Sequence, residues 1–203
     1  MRVIISAGGT GGHIYPALSI INKIKQRDKN AEILYVGTTN RMEKDIIPKY
    51  NIPYYAIKVT GLERKLSINN LKTLKNFIFA VIKMKKKIKE FKPDIVIGVG
   101  GYVTAPVIYA AKICKVKTII HEQNSVLGVT NRFLSKYVDA VLVSFPDTVV
   151  KAKRVVYTGN PSSEELNIPF SKSELGLSST KKLVLIVMGS LGSKVINDRM
   201  KEI

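Results

Sequence analysis

Three glycine-rich turns hold the residues best suited to bind a phosphate group. Gly8–Gly12 comes directly before His13, Gly98–Gly101 comes directly before Tyr102, and Gly189–Gly192 lies near the end of the chain. Each turn follows an apolar run and precedes a stretch of helical periodicity. At the carboxyl ends of parallel strands, glycines let a ligand approach the backbone, and the first amides of a helix attract anions. Three turns in equivalent places therefore favour a phosphate-bearing ligand over close packing alone.

The glycine turns do not fit a dinucleotide site or an ATP site. The dinucleotide register that starts at Gly9 ends in Ile14, where the fingerprint needs a glycine. The second apolar run ends in Val36-Gly37-Thr38-Thr39 and lacks the acidic residue that would bind a ribose. No Walker lysine follows any of the turns. NAD and ATP are therefore excluded as ligands of these turns.

The two histidines of the chain both stand at the ends of predicted strands. His13 opens a helix, whose dipole favours a neutral imidazole that can act as a general base or as a hydrogen-bonding group. A cap or a packing role is the alternative for His13. His121 begins the run His121-Glu122-Gln123-Asn124, and four polar residues at the end of a buried strand favour a functional role over packing.

No residues have the spacing of a metal or redox site. The only cysteine, Cys114, lies in an apolar run, has no partner for a disulfide and is predicted to pack in the core. The chain has no CxxC motif, no Cys/His cluster and no DxD motif that could hold a bridging divalent metal. We therefore expect no metal and no other cofactor, and a reducing cytoplasm as the compartment.

The elements that must position these residues follow a simple alternation. Short apolar runs, several of them apolar throughout, are typical of strands covered on both faces, and helical stretches separate them. This alternation predicts an α/β fold with a doubly wound, Rossmann-like parallel sheet. The predicted strands are Arg2–Ser6, Glu32–Val36, Tyr54–Val59, Asp94–Gly98, Lys117–Ile120, Ala140–Val143 and Arg154–Tyr157, and the predicted helices are Tyr15–Lys25, Arg41–Lys49, Asn70–Phe91 and Val103–Lys115.

A domain boundary is predicted after Gly159-Asn160-Pro161. Residues 1–161 form the first domain, and residues 162–181 are polar and serine-rich, which is typical of a linker, here with a short helix. Residues 182–203 begin a second Rossmann-like domain, with a buried strand over Leu183–Met188 and a helix from Ser193 to Ile203. One strand and one helix cannot bury their own faces. We therefore expect the chain to lack the rest of this domain or to take it from a partner.

Five motifs make the chain resemble the MurG family of GT-B glycosyltransferases. They occur in the family's order, and they are specific in combination and weak singly. Four lie within the first domain and the fifth matches the start of the family's second domain: GGTGGHIYPAL (8–18), GVGGYVTAP (98–106), HEQNSVLGVTNRFLSK (121–136), TGNP (158–161) and MGSLGSKVIN (188–197).

The resemblance implies an inverting enzyme of peptidoglycan synthesis with two Rossmann-like domains. Such enzymes transfer N-acetylglucosamine from UDP-N-acetylglucosamine (UDP-GlcNAc) to the lipid-linked muramoyl-pentapeptide, turning lipid I into lipid II. The N-terminal domain mainly holds the acceptor and the C-terminal domain mainly holds the donor. GT-B enzymes stabilise the leaving diphosphate with helix N-termini and backbone amides, which agrees with glycine turns and no metal motif.

The resemblance also implies roles for individual residues. His13 is the candidate base that activates the acceptor hydroxyl, with Glu122 as an orienting or alternative acidic group. Ser190 is a nucleotide contact in the second domain. The remaining predicted substrate-binding residues are Thr10, Gly11, Gly12 and Asn124, which contact the donor, together with Gly100, Gly101, Tyr102 and Gln123.

The chain departs from the family in two places. Family members usually carry an arginine shortly after the GNP turn, a partner for donor phosphates, whereas Ser162-Ser163-Glu164 follow here. The family's acidic and glutamine-rich donor contacts have no counterpart in the sequence. We therefore expect this chain alone to be inactive as a catalyst.

Composition and charge define the class of protein. The 203 residues include 33 Lys and Arg against 15 Asp and Glu, a formal net charge of +18. Hydrophobic residues make up 45% and charged residues 24%, which excludes a disordered or fibrous protein. No stretch reaches the roughly 18 apolar residues of a membrane span, and the start of the chain does not resemble a signal peptide. The protein is predicted to be soluble or peripheral.

Half of the net charge is concentrated in residues 64–92, which hold ten basic side chains and one acidic one. A core-facing stripe is predicted for Leu74, Phe77, Val81, Met84, Ile88 and Phe91. At about 100° per residue, six others point away from it: Phe79, Ile82, Lys72, Lys75, Lys83 and Lys86.

Outward apolar residues among lysines favour an anionic membrane surface as the partner of this helix. A solvated lysine face is the alternative. Nucleic acid is disfavoured because the helix proper carries lysines without arginines and no nucleic-acid-binding module is present. The predicted location is the cytoplasmic side of the cell membrane, with peripheral attachment.

Two function classes stay open for the chain. The first is the acceptor- and membrane-binding part of a MurG-type enzyme. The second is a non-catalytic, membrane-anchoring acceptor subunit of a split GT-B glycosyltransferase, which needs a separate donor-binding partner.

Overall fold

The computed structural model describes residues 1–61, 68–166, 171–178, 180–186 and 193–201. The chain divides into two compact units, Met1–Glu164 and Glu165–Ile203. The strands are β1 (Arg2–Ala7), β2 (Glu32–Thr38), β3 (Tyr54–Ile57), β4 (Ile95–Gly100), β5 (Lys117–Glu122), β6 (Ala140–Val143) and β7 (Val155–Tyr157). The helices are α1 (Gly11–Arg27), α2 (Glu43–Ile46), α3 (Ile68–Phe91), α4 (Thr104–Ile113), α5 (Val129–Leu134) and α6 (Lys194–Met200), with 3-10 turns at Ile47–Tyr50, Pro161–Leu166 and Lys172–Leu175.

The first unit is built on one parallel sheet. Its seven strands pair in the order β3-β2-β1-β4-β5-β6-β7, and every neighbouring pair is parallel. The predicted α/β fold with a doubly wound parallel sheet is therefore confirmed. All seven strands predicted for the first domain form, and their ends differ from the predicted ones by at most two residues.

The two faces of the sheet carry separate hydrophobic clusters. In β1, Val3 and Ile5 point to the face that α1 covers, while Ile4 points to the face covered by α3 and α4. All three side chains are fully buried. Because successive residues of a strand point to opposite faces, a strand covered on both sides must be apolar at every position. This explains the unbroken apolar runs of the sequence.

The chain leaves the two central strands toward opposite faces of the sheet. After β1 it enters α1, whose side chains join one cluster, and after β4 it enters α4, whose side chains join the other. In open parallel sheets this change of direction leaves a crevice at the carboxyl ends of the two strands, where ligands bind. The first two glycine turns of the sequence lie at this point.

The long helix α3 packs on the sheet along a line that differs from the predicted stripe at one residue. Val81, Met84 and Ile88 are buried as predicted, but Leu74 is 54% exposed, so its placement in the core was wrong. The inward position of that turn belongs to Thr73, which is buried. Leu74 lies about 100° further round the helix and joins its outer face.

The second unit contains a short 3-10 turn and α6 among its described residues. Gly176 ends the 3-10 turn with a φ of 65°, and the Ser193 hydroxyl accepts a hydrogen bond from the amide of Ile196 at the start of α6. The strand predicted over Leu183–Met188 is not formed in its described part, residues 183–186, whose side chains are exposed. A strand needs a hydrogen-bonded neighbour, and the described part of this unit contains no strand to pair with.

Within the described part of the chain, no helix combines the length and the apolar character that a membrane crossing requires.

Candidate active site at the ends of β1, β4 and β5

His13 lies in the first turn of α1, half-buried at the carboxyl end of β1. Its Nδ1 lies 3.1 Å from the carbonyl oxygen of Gly8 and 3.4 Å from the Thr10 hydroxyl. A carbonyl oxygen only accepts hydrogen bonds, so Nδ1 carries the proton in this contact. In the neutral ring the other nitrogen, Nε2, then holds the lone pair that a general base uses.

The amides of the first glycine turn divide into two groups. The Gly8 amide donates to the carbonyl of Gly100 at 3.3 Å, and the Gly9 amide donates to Glu43 at 3.1 Å. These two amides are already used inside the protein. The following residues, Gly11 and Gly12, form the first turn of α1, whose amides have no acceptor within the helix. The amides of this turn that remain available to an anion are therefore those at the start of α1.

The β4 turn packs directly against the β1 turn. Gly100 and Gly101 have φ values of 118° and 82°, which favour glycine. A side chain at Gly100 would overlap the ring of His13, and one at Gly101 would overlap the carbonyl of Gly8. The hydroxyl of Thr104 fixes this turn by donating to the carbonyls of Ser6 (3.2 Å) and Gly100 (2.9 Å).

His121 is buried at the end of β5, and both ring nitrogens have partners. Its Nε2 lies 3.1 Å from the carbonyl oxygen of Gly159, and its Nδ1 accepts from the Gln123 side chain at 2.9 Å. Nε2 therefore carries the proton. Burial lowers the pKa of His121, against the opposing effects of the Gly159 carbonyl and Glu122, so the ring is held neutral.

The Gln123 side chain joins β5 to β4. Its amide nitrogen donates to the carbonyl of Val99 at 2.9 Å as well as to His121. Its side-chain oxygen is buried, and no donor among the described residues reaches it. A buried acceptor without a donor costs stability, so this oxygen is suited to receive a hydroxyl or an amide of a ligand.

Glu122 is fully engaged in holding the loop that follows β5. The carboxylate accepts from the Asn124 amide (3.1 Å) and side chain (2.8 Å), from the Gly128 amide (3.0 Å) and from the Asn131 side chain (2.9 Å). Only 2% of the residue is exposed. With both oxygens occupied, the geometry favours the orienting role over the alternative acidic role. Asn124 is exposed and held in place by this carboxylate.

The predicted site residues thus meet at the carboxyl edge of three adjacent strands. The β1 turn contributes Thr10, Gly11, Gly12 and His13, the β4 turn contributes Gly100, Gly101 and Tyr102, and the loop after β5 contributes Glu122, Gln123 and Asn124. The first two turns touch, and Gln123 ties the third strand to β4. Ser190 lies outside the described residues.

Sequence reasoning missed the contribution of the turn after β2. Glu43 is fully buried and binds the β1 turn, and Arg41 donates from Nε to the Tyr102 hydroxyl at 3.2 Å. For a dinucleotide site, an acidic residue was expected directly at the end of β2, where the chain has Thr38 and Thr39. The acidic residue is Glu43, five positions after Thr38. The available signal was an acidic residue that comes shortly before the apolar pair Ile46-Ile47.

The outer face of α3 is exposed, as predicted. Phe79 and Ile82 are each 57% exposed, and the four predicted lysines Lys72, Lys75, Lys83 and Lys86 are exposed too. The Nζ of Lys75 lies 5.9 Å from the centre of the Phe79 ring. Three further apolar side chains that the sequence analysis did not place here extend this face: Leu71, Leu74 and Ile78.

Comparison with known proteins gives a consistent result. The model of the glycosyltransferase family 28 N-terminal domain matches residues 3–143. The chain is 47% identical over 208 residues to a UDP-N-acetylglucosamine–N-acetylmuramyl-(pentapeptide) pyrophosphoryl-undecaprenol N-acetylglucosamine transferase of Halalkalibacterium halodurans, covering 100% of this chain and 57% of that protein. The Bacillus subtilis protein of the same name is 51% identical over 202 residues, covering 97% and 56%.

Solved structures agree with these sequence matches. The crystal structure of Acinetobacter baumannii MurG superposes with a TM-score of 0.74 at 33% identity, covering 98% of this chain and 55% of that one. A UDP-GlcNAc 2-epimerase from Neisseria meningitidis superposes with a TM-score of 0.58 at 16% identity, covering 83% and 50%, which is a likeness of fold alone. The chain spans a little more than half the length of the curated relatives it matches.

Proposed function

The chain belongs to glycosyltransferase family 28 through its N-terminal domain and is homologous to MurG, and from this premise we propose that it is the acceptor- and membrane-binding part of an N-acetylglucosaminyltransferase of peptidoglycan synthesis. The donor is UDP-GlcNAc, and the acceptor is the lipid-linked muramoyl-pentapeptide, lipid I. The complete reaction needs a donor-binding domain, which family members place in their C-terminal half. This chain by itself is expected to bind the acceptor and the membrane without catalysing the transfer.

The observation that carries the proposal is the geometry of His13. The Gly8 carbonyl holds the proton on Nδ1, which leaves the lone pair on Nε2, and this nitrogen lies beside Gly100 at the end of β4. In the proposed reaction Nε2 takes the proton from the acceptor hydroxyl as its oxygen bonds to the anomeric carbon of the donor. The bond from that carbon to the UDP oxygen breaks on the opposite side, which gives inversion.

The backbone N–H groups around His13 suit the negatively charged phosphates of both substrates. The amides at the start of α1 and the positive end of its dipole stabilise phosphate oxygens next to the base. Thr10, Gly11, Gly12 and Asn124 are the residues proposed to reach the donor, and the nucleotide contact predicted for Ser190 stays a prediction. Gly100, Gly101, Tyr102 and Gln123 are proposed to face the acceptor.

Substitution of His13 tests the proposal. The assay uses a chimaeric enzyme in which this chain replaces the matching part of the Bacillus subtilis relative, and it follows transfer of radiolabelled N-acetylglucosamine to the lipid acceptor. We expect His13→Ala to lower kcat by at least about 100-fold, as loss of a general base does. The control is Asp45→Asn, an exposed carboxylate outside the site, which should leave turnover unchanged. Near-full turnover of His13→Ala would rule out the base role.

The outer face of α3 supports peripheral attachment to an anionic membrane. Leu71, Leu74, Ile78, Phe79 and Ile82 form an apolar strip about 17 Å long at the 1.5 Å rise of a helix. Lysines lie beside it and continue along the C-terminal half of α3. Apolar side chains enter the headgroup region while each lysine adds about 1 kcal/mol of attraction to anionic lipid.

Vesicle binding by the chain itself tests this attachment. We expect cosedimentation with vesicles containing anionic phosphatidylglycerol and much weaker binding to neutral phosphatidylcholine vesicles. Phe79→Asp combined with Ile82→Asp should lower binding to anionic vesicles at least about tenfold, since it removes apolar insertion and adds negative charge. The matched control is Val149→Asp with Val155→Asp, two exposed valines elsewhere on the first unit. Equal binding of the two double variants would contradict insertion of the α3 face.

A further inference from the structure

We propose that Glu43 is a positioning residue for His13 and acts through the single peptide group that joins Gly8 to Gly9. The inference rests on the proposed function, in which His13 accepts the proton of the acceptor. The carbonyl of this peptide accepts a hydrogen bond from His13 Nδ1 at 3.1 Å, and its amide donates to Glu43 Oε2 at 3.1 Å. A carboxylate, a peptide and an imidazole thus form one hydrogen-bonded line.

The environment of Glu43 offers hydrogen-bond donors to both carboxylate oxygens inside the protein. The residue has no exposed surface. Its Oε1 accepts from the Thr38 amide at 3.0 Å and from the Thr38 hydroxyl at 2.7 Å, while Oε2 accepts from Gly9. Every contact is made by a donor, which suits an acceptor-only group, and a buried charge is retained only with such donors.

Two glycines make the room that this carboxylate occupies. An ideal Cβ at Gly8 would lie 2.5 Å from Glu43 Oε1, and one at Gly37 would lie 2.7 Å from Glu43 Cγ. Real side chains do not approach this closely. Gly8 belongs to the first glycine turn, and Gly37 is the last residue but one of β2, so the ends of both strands leave space for the same side chain. The glycines at these two positions therefore make room for the Glu43 side chain, in addition to any room that they leave for a ligand.

The physical effect of Glu43 on His13 follows from cooperativity between hydrogen bonds. An amide that donates to an anion is polarised, and the carbonyl of the same peptide becomes a stronger acceptor. A stronger Gly8 carbonyl favours the proton on Nδ1 and stabilises the positive ring that forms when Nε2 takes up a proton. The anion thereby orients the base and supports its charge without touching it.

The tautomer of His13 tests this arrangement in the chain itself, without any need for activity. Nitrogen-15 NMR distinguishes the protonated nitrogen of each neutral imidazole, and the chain has two histidines, so His121 serves as an internal reference. We expect a proton on Nδ1 in His13 and on Nε2 in His121. In Glu43→Gln one oxygen becomes an amide nitrogen that cannot accept. His13 should then lose most of its preference for Nδ1, while His121 keeps its own.

Controls separate this effect from a general loss of structure. Asp45→Asn removes an exposed carboxylate from the same short helix and should leave both tautomers unchanged. A Glu43→Gln variant that keeps native amide shifts and also keeps the His13 tautomer would overturn the proposal. If Glu43→Gln does not fold, the unsubstituted chain decides, because a proton on Nε2 of its His13 excludes the proposed line.

Kinetics of the chimaeric enzyme give a second readout that a merely structural role would not move. We expect Glu43→Gln to lower kcat about tenfold and to leave KM for UDP-GlcNAc within about twofold, since the base is misplaced and the donor site is not. In a His13→Ala background the same substitution should have no further effect. If the tautomers behave as expected but His13→Ala retains turnover, the proposed function fails and the positioning by Glu43 stands.

Discussion

The two histidines of this protein occupy equivalent places in the fold and have opposite environments. Both stand at the carboxyl edge of the sheet, His13 after β1 and His121 at the end of β5. His13 is half-buried and uses Nδ1 alone in contacts within the described residues, whereas His121 is 1% exposed and uses both nitrogens. The ring of His13 keeps one nitrogen for a ligand, whereas the ring of His121 is bonded to the protein through both nitrogens and forms part of the framework of the fold.

The hydrogen-bond partners of the two rings differ. The His13 Nδ1 proton is directed to a backbone carbonyl, and the amide of the same peptide donates to Glu43, which leaves Nε2 without a hydrogen bond among the described residues. The proton of His121 is held by the Gly159 carbonyl, and its other nitrogen accepts from Gln123. The ring of His121 is buried, and both of its nitrogens are bonded to groups of the protein, which favours a framework role.

Stability measurements should separate the two histidines most strongly. We expect His121→Ala to lower the free energy of unfolding by about 2–4 kcal/mol, because it leaves a cavity and unpairs the buried Gln123 amide. His13→Ala should lower it by less than about 1 kcal/mol, since its ring is half-buried and has one close partner. Urea unfolding of both variants, followed by circular dichroism, measures the difference. Equal losses of unfolding free energy in the two variants would contradict the conclusion that His121, but not His13, is a structural residue.

The protonation of His121 should also affect stability, by less than the His121→Ala substitution does. Burial lowers its pKa below the ordinary value of 6.5, so the unfolded chain takes up a proton at this residue before the folded protein does. This contribution to stability is therefore complete above pH 6.5 and declines as the pH falls toward the lowered pKa. Unfolding free energies from pH 7.5 to 5.5 measure the decline.

The matched variant for this titration is His121→Gln, which has no group that titrates in the window. Its stability should change less between pH 7.5 and 5.5 than that of the unsubstituted chain. Identical slopes for the two proteins would show that another group causes the decline. Asp28 and Asp139, whose pKa values are lowered by their hydrogen bonds, lose their contribution only at more acid pH.

Local patterns were enough to predict the sheet and to place the candidate site residues at its carboxyl edge. Runs such as Arg2–Ser6 and Ala140–Val143 are apolar because both faces of the sheet are covered, and glycines mark the strand ends. Leu74 was misplaced because periodicity alone does not distinguish a buried threonine from an exposed leucine on neighbouring lines of a helix. The strand over 183–188 was predicted from an apolar run, but a strand forms only where a neighbour pairs with it.

The partners of the site residues could not be predicted from the sequence. Glu43 contacts Gly9 across 34 positions of the chain, and His121 contacts Gly159 across 38. Such contacts depend on which strands become neighbours and on the path of each turn, and neither is encoded by local spacing. The same reasoning explains why the role of Glu122 was left open until its four donors were known.

The contact between Gly101 and the Gly8 carbonyl has a mechanical consequence. Because the α-carbon of one turn rests on the peptide of the other, neither turn can shift without displacing its neighbour. A ligand that displaces the β4 turn would therefore also displace the peptide whose carbonyl accepts the hydrogen bond from His13 Nδ1. Under the proposed function, a displacement of the β4 turn on acceptor binding would therefore be transmitted directly to the hydrogen bond that orients His13.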